Sequence, residues 1–383
     1  MNSIMKKILI AHQSTIPHYR IPFYNALENL RPSNWQFEVV FDPRELQNKR
    51  FFKESIELSS FQFPILPVTT YPFTIANKRI CYQNFWQKAG NYDLLIVENA
   101  INNLTYPLCQ LHQLRGTKFA HWGHGKHRGV VNYSITKRIT EKLKKASAHK
   151  ANAFFAYTPG VKKYVAGQGF PAEKIFALNN TIDINLQRRA FEKFAPQKEA
   201  IKQELGLTGK KVLLFVGRFN KNKRINFLLE SFNYLHKQDN SFHLLLVGAG
   251  GEKYFDKKQS NLTYFGSVIQ LEKIAPLYIA ADLFVFPGLV GLGPLQALCY
   301  DLPIITIDAP NHMPEVEYLV PSNSIFLPTE TTPHEYAQYI IKLFNECEYL
   351  SSLKQQTWSS IKHLTIENMA KNFIEGVNKT LLT

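Results

Sequence analysis

The sequence predicts an α/β fold in two domains, each built on a mostly parallel sheet with helices on both faces. Two observations carry this. Short, unbroken apolar runs alternate with longer segments of helical period along the 383 residues, and strands buried on both faces read as continuous apolar runs. The alternation fades over Ile184–Glu204 and restarts at Lys211. That places a boundary inside a chain too long for one ordinary domain.

In the first half, Lys7–His12 reads as a buried strand and Phe23–Leu30 as a helix. Phe37–Phe41, Asp93–Val97 and Lys118–Trp122 read as further strands. A basic helical stretch follows over 135–150, then a strand at Ala153–Tyr157, a helix from Thr158 and a strand at Ile175–Leu178. Residues 186–205, with Arg188, Arg189 and Pro196, are polar enough to read as a linker between a domain over 1–185 and one over 206–360. In the second half, strands are expected at Lys211–Gly217, His243–Gly248, Leu262–Gly266, Leu283–Pro287, Pro303–Ile307 and Ser324–Leu327, with helices between and after them.

Composition narrows the function classes. Hydrophobic residues at 45% and aromatics at 13% argue against disorder. The net charge of +15 attracts anions, yet no zinc spacing, RNP signature or basic zipper points to nucleic acid. Cys81, Cys109, Cys299 and Cys347 are widely spaced, so no disulfide framework is expected and a cytoplasmic compartment is. Met1–Lys7 runs straight into a strand, and no run approaches the roughly 20 apolar residues of a membrane span.

Three glycine-bearing segments follow strands of the second half. Gly217-Arg218-Phe219-Asn220-Lys221-Asn222-Lys223 stands between a strand and a helix. Glycine permits close backbone approach, a helix N-terminus offers free N–H groups, and Arg218 and Lys223 add full charge, so the segment reads as a diphosphate clamp. Gly248-Ala249-Gly250-Gly251 allows similar approach to a nucleotide. Gly288–Gly293, opening a helix at Pro294-Leu295-Gln296, suits a phosphate or sugar cradle, with the Gln296 amide able to bond ribose hydroxyls.

These residues together resemble the nucleotide-binding domain of GT-B glycosyltransferases, in particular the retaining family 4. Gly217, Arg218 and Lys223 match its Gly-Arg…Lys spacing, and Val247-Gly248-Ala249-Gly250 its next glycine turn. Tyr264-Phe265-Gly266-Ser267-Val268 matches the stretch whose backbone meets the donor base, and Leu298–Ile304 the family's Met-Ala-x-Gly-x-Pro-Val run. The resemblance implies two Rossmann-like domains with parallel sheets facing across a cleft, and a last helix, 361–383, crossing back to the first domain. It departs at the family's two glutamates: aligned through Pro303, these fall on Gly288 and Gln296. Some bacterial polysaccharide-assembly members look like this. Backbone N–H groups around Val290, Gly291 and Leu292 then have to hold the sugar or phosphate. Glu315, in a Pro-Glu step, is implied near the donor.

The first half carries less signal. His121-Trp122-Gly123-His124-Gly125-Lys126-His127 ends a strand. The resemblance implies a histidine near the donor sugar, and His124 is the candidate over His121 and His127. Pro17-His18-Tyr19-Arg20-Ile21-Pro22 resembles a stretch of the same bacterial subgroup near the acceptor, so His18 and Arg20 are candidates for an acceptor phosphate. Glu98, past another strand, is a further acceptor-side candidate. The basic stretch Lys137–Lys150 reads either as an anionic-membrane contact or as an ordinary solvated helix face. No Asp-x-Asp occurs, so neither a metal nor another cofactor is expected.

The function implied is transfer of a sugar, with retention, from a nucleotide-diphosphate sugar to a hydroxyl of a glycan or lipid-linked acceptor in cell-surface polysaccharide synthesis, at the inner face of the membrane or free in the cytoplasm. Arg218 and Lys223 would stabilise the departing diphosphate. Two rivals stand beside it: a nucleotide-sugar epimerase of the same architecture, and a nucleotide-sugar-binding subunit that turns nothing over. A nicotinamide enzyme is disfavoured because His12-Gln13-Ser14-Thr15 follows the first strand where a Gly-x-Gly-x-x-Gly turn belongs.

Overall fold

The computed structural model describes residues 4–12, 16–44, 58–75, 78–100, 102–125, 135–251, 254 and 261–382. The chain forms two compact units, Met1–Asn180 with Ile366–Thr383, and Thr181–Thr365.

The first unit contains β1 (Lys6–Ala11), β2 (Trp35–Phe41), β3 (Ile65–Pro67), β4 (Thr70–Ile75), β5 (Lys78–Gln83), β6 (Leu94–Glu98), β7 (Lys118–Gly123), β8 (Ala153–Ala156) and β9 (Ile175–Ala177). Its main sheet runs β3-β2-β1-β6-β7-β8-β9, and every pairing within it is parallel. The central strands are buried along nearly their whole length, as in Ile8–Ala11 and Leu94–Val97, which is why they read as apolar runs. β4 and β5 form a separate antiparallel hairpin. It escapes the sequence reading because β4 is largely exposed and carries Pro72 in its middle.

The helix Ile366–Leu382 supplies core to this unit from the far end of the chain. Phe373 lies against Phe23, Trp122 and Phe155 at centroid distances of 5.5, 5.4 and 5.0 Å. The preceding helix stops at Ile361, so the chain re-enters the first unit five residues later than the 361 boundary expected, at Ile366.

The second unit holds β10 (Lys211–Val216), β11 (Phe242–Val247), β12 (Leu262–Tyr264), β13 (Leu283–Phe286), β14 (Ile304–Ile307) and β15 (Ser324–Leu327). They form one parallel sheet in the order β12-β11-β10-β13-β14-β15. Residues 186–205, expected to be a linker, are instead helical, as Ile184–Phe194 and Lys198–Glu204, and belong to this unit. The segment is amphipathic: Ile184, Ala190 and Ile201 are buried. Lys198 and Lys202 reach Asp282 at 3.0 and 3.2 Å, and Asp282 in turn accepts from the Val212 N–H. A polar face turned to water hid a buried one. No helix among the described residues is long and apolar enough to cross a membrane.

Candidate functional site

In an open parallel sheet, ligands bind beyond the carboxyl ends of strands where the strand order reverses. In the second unit that reversal lies between β10 and β13. The loops leaving β10, β11 and β13 are the three glycine segments singled out in the sequence.

The first two loops are locked together through backbone. Gly217 N–H donates to the Val247 carbonyl at 2.9 Å, and Phe219 N–H to the Ala249 carbonyl at 3.0 Å. Gly248 has φ +145°, and a Cβ there would lie 1.9 Å from the Gly217 carbonyl oxygen. Gly250 has φ +85°. Tyr264, whose role the sequence did not reveal, closes the turn. Its hydroxyl donates to the Gly248 carbonyl at 2.7 Å and accepts from the Gly251 N–H at 3.1 Å. Gly266 O accepts from Gly248 N–H at 2.7 Å, which sets the loop carrying exposed Ser267 and half-buried Val268 beside this turn.

The third loop is seated on the first. A Cβ on Gly288 would lie 2.4 Å from Lys223 Cα and 2.5 Å from the Asn222 carbonyl oxygen. Leu289 N–H donates to that same oxygen at 2.8 Å. The absence of a glutamate at 288 therefore has a steric reason: backbone occupies the place of the side chain. Lys223 Nζ donates to the Leu289 carbonyl at 2.5 Å and sits 4.7 Å from the centre of the Phe286 ring. Its ammonium has no carboxylate partner among the described residues, and burial lowers its pKa to about 8. Arg218 is exposed, with no hydrogen bond or ion pair among the described residues. The loop thus presents one exposed cation and one seated against backbone.

Two expectations change, those for the Val290 amide and for Gln296. Val290 is buried, and its N–H donates to His312 Nδ1 at 2.9 Å, so that amide is not available to a ligand. His312 Nε2 faces the Ile307 carbonyl at 3.0 Å; a carbonyl only accepts, so Nε2 carries the proton and Nδ1 is the acceptor. Gly291 and Leu292 retain N–H groups without a partner among the described residues. Gln296 donates its amide to Gln187 Oε1 at 3.0 Å, since its helix turns that face toward Ile184–Phe194. Glu315 is buried in the 3-10 turn Pro314–Tyr318, whereas Glu317 is exposed.

In the first unit the reversal lies between β1 and β6. Arg20 does not face an acceptor: it is 1% exposed. Its Nη2 donates to Asn180 Oδ1 at 2.6 Å, and its guanidinium carbon lies 5.2 Å from the Trp122 ring centre. A weakly hydrated, planar cation tolerates such an aromatic box. His18 is exposed. His124 is half-buried and meets Tyr157 edge-on at 4.2 Å, while the Tyr157 hydroxyl pairs with His12 Nε2 at 2.8 Å. Burial holds His12 well below the usual imidazole range, and the charges of Arg20 and His124 add to this. His121 pairs with the Ser147 hydroxyl and is lowered to about 4 by burial, a packing role. His127 lies outside the described residues. Burial raises Glu98 to about 7, against the opposing charge of Lys144. The helix Ile135–Lys150 exposes Lys142 and Lys145; the side chains of Lys137 and Arg138 lie outside the described set.

Residues 210–346 match the family model described as glycosyl transferases group 1. A glycogen synthase from Fervidobacterium nodosum is 29% identical over 142 residues, which is 33% of this chain and 28% of that protein's length. Among solved structures, a glycosyltransferase from Rickettsia africae has a TM-score of 0.71 at 13% identity, covering 100% of this chain and 99% of its own. Anabaena HepE in complex with UDP has a TM-score of 0.68 at 14% identity, covering 98% and 100%. A UDP-GlcNAc 2-epimerase from Neisseria meningitidis bound to UDP-GlcNAc has a TM-score of 0.61 at 14% identity, covering 98% and 100%. The chain therefore has the GT-B fold, two Rossmann-like domains, and residues 210–346 of the second are similar to the glycosyl transferases group 1 family.

Proposed function

We propose that the protein transfers a sugar from a nucleotide-diphosphate sugar to a hydroxyl of a glycan or lipid-linked acceptor, with retention, in polysaccharide synthesis. The observation that carries this reading is the pair of uncompensated cations, Arg218 and Lys223, on glycine-bounded backbone at the reversal between β10 and β13. The UDP seen in HepE favours a uridine diphosphate donor.

As the sugar–phosphate bond breaks, negative charge develops on the departing diphosphate. Arg218 meets it with a fork of N–H donors, and Lys223 with a point charge already positioned by the Leu289 carbonyl. The free N–H groups of Gly291 and Leu292 add donors. Gly217, Gly248 and Gly250 keep the floor bare of side chains, while Ser267 and Val268 border the base and Glu315 the sugar. These two cations supply the charge that a metal supplies elsewhere, so no metal is required. His124 is assigned to the donor sugar and His18 and Glu98 to the acceptor side; Arg20, buried against Asn180, is given no acceptor role.

Arg218→Ala tests the clamp. Because Arg218 is exposed, its loss leaves Tm unchanged, and kcat/KM for donor turnover falls at least about tenfold. An unaffected rate refutes the clamp. The likeness to an epimerase sustains one second reading, separated by product: epimerised nucleotide sugar formed without acceptor supports epimerisation, and acceptor-dependent UDP release supports transfer.

A further inference from the structure

The first unit has a recess at the amino-terminal end of its main sheet. A cavity of 680 Å³ opens beside the starts of β1 and β2, walled by Glu28, Arg31, Gln36, Glu38 and Lys88. A neighbouring cavity of 400 Å³ continues past the starts of β6 and β7 to Arg115 and Lys118. Asn91 and Tyr92 line both. Each has the size of a ligand pocket. Crossing β2-β1-β6-β7 spans three strand spacings, about 14 Å, which suits a short chain molecule better than one small one.

The charges of this groove do not cancel. Each carboxylate is already engaged: Glu28 by Arg31 at 2.7 Å, Asp93 by Lys6 at 3.4 Å, and Glu38 by the Tyr92 hydroxyl. Four lining cations, Lys7, Lys88, Arg115 and Lys118, have no ion pair among the described residues. Nucleic acid fits poorly, because the walls carry carboxylates and lack the row of exposed rings on which bases stack. A flat lipid surface does not enter a recess.

We propose that this groove binds an acidic oligosaccharide. Its acid groups meet the four unpaired cations. Its hydroxyls meet the amides of Gln36 and Asn91, which line the recess. The site is separate from the transfer site and stands whether or not that assignment does.

Titration calorimetry of the full chain at about 0.15 M salt tests it, with size-defined oligogalacturonate as the acidic probe and maltoheptaose as the neutral one. Oligogalacturonate is expected to bind and maltoheptaose not. The double variant Lys88→Glu/Arg115→Glu is expected to weaken binding at least about tenfold, while Lys237→Glu, an exposed cation of the second unit, changes nothing. If the double variant does not fold by its thermal melt, Lys88→Gln is read in its place, with a smaller loss expected. No binding of oligogalacturonate overturns the proposal, as does an equal loss in Lys237→Glu. A thymidine oligonucleotide or phosphatidylglycerol vesicles binding with the same dependence on Lys88 and Arg115 would assign the groove to that partner instead.

Discussion

Lys223→Met should lower kcat/KM for a nucleotide-diphosphate sugar by about a hundredfold or more while leaving Tm near its wild-type value at neutral pH. The two halves of that expectation come from one fact. The ammonium is largely buried without a carboxylate partner, and burial lowers its pKa to about 8 from the ordinary 10.5. Between those values the unfolded chain binds more protons than the folded one, so this group's contribution makes stability rise with pH across that window. Below pH 8 the folded state bears the full penalty of a charge held out of water. Methionine, similar in length and neutral, removes that penalty and with it the bond to Leu289 and the contact with Phe286; the losses and the gain oppose each other. Activity has no such offset, since in the proposed clamp the charge is what the departing diphosphate needs. In the free wild-type enzyme, kcat/KM should fall as pH rises through about 8. A bound diphosphate favours the charged lysine, so the corresponding limb in kcat should lie higher. Lys223→Arg keeps its charge at every accessible pH and should lose the alkaline limb. A flat wild-type profile from pH 7 to 10, or a Lys223→Met enzyme at full rate, would contradict the assignment.

How much of this was legible in the sequence depended on the range of the interactions involved. Strands such as Leu213–Phe215 and Leu94–Val97 are buried on both faces, so burial itself writes them as apolar runs. The loop proposed as a clamp is legible in the sequence as a loop between a strand and a helix, because Gly217, Arg218 and Lys223 are close together along the chain. The site side chains that were misplaced depend on distant partners. Arg20 reads as a loop cation until Trp122, Asn180 and Met369, brought in from three other segments, pack against it. Gln296 reads as a free amide until Gln187 is folded against it. His312, which consumes the Val290 amide, is unremarkable until the loop from β13 reaches it. The helices at Ile184–Phe194 and Lys198–Glu204 read as linker in the sequence because their apolar faces are narrow and their polar residues numerous.

Gly248→Ala should destabilise the second unit by roughly 3 kcal/mol or more, lowering its melting transition by about 6–12 °C. Two penalties act together. The φ of +145° lies where side-chain-bearing residues are rarely found, and the added methyl would sit 1.9 Å from the Gly217 carbonyl oxygen. That oxygen belongs to backbone, so no rotamer change relieves the clash; β10 and β11 must move apart at their carboxyl ends. Separation there pulls Gly217 and Phe219 off their partners at Val247 and Ala249, and with them the turn that positions Arg218 and Lys223. Donor turnover should fall in parallel. Gly250→Ala is the internal control: its φ of +85° is also unfavourable, but the nearest atom to the new methyl would be 3.6 Å away, so only the conformational penalty, about 1–2 kcal/mol, remains. Gly288→Glu extends the same reasoning to the missing carboxylate. Its Cβ would meet Lys223 backbone at 2.4 Å, so placing a glutamate there displaces the lysine and reduces activity instead of restoring a lost function. Differential scanning calorimetry with a two-transition fit, one for each unit, separates these cases. A Gly248→Ala protein that melts like wild type, or a Gly288→Glu protein that gains activity, would show that the three loops are not locked through backbone contact.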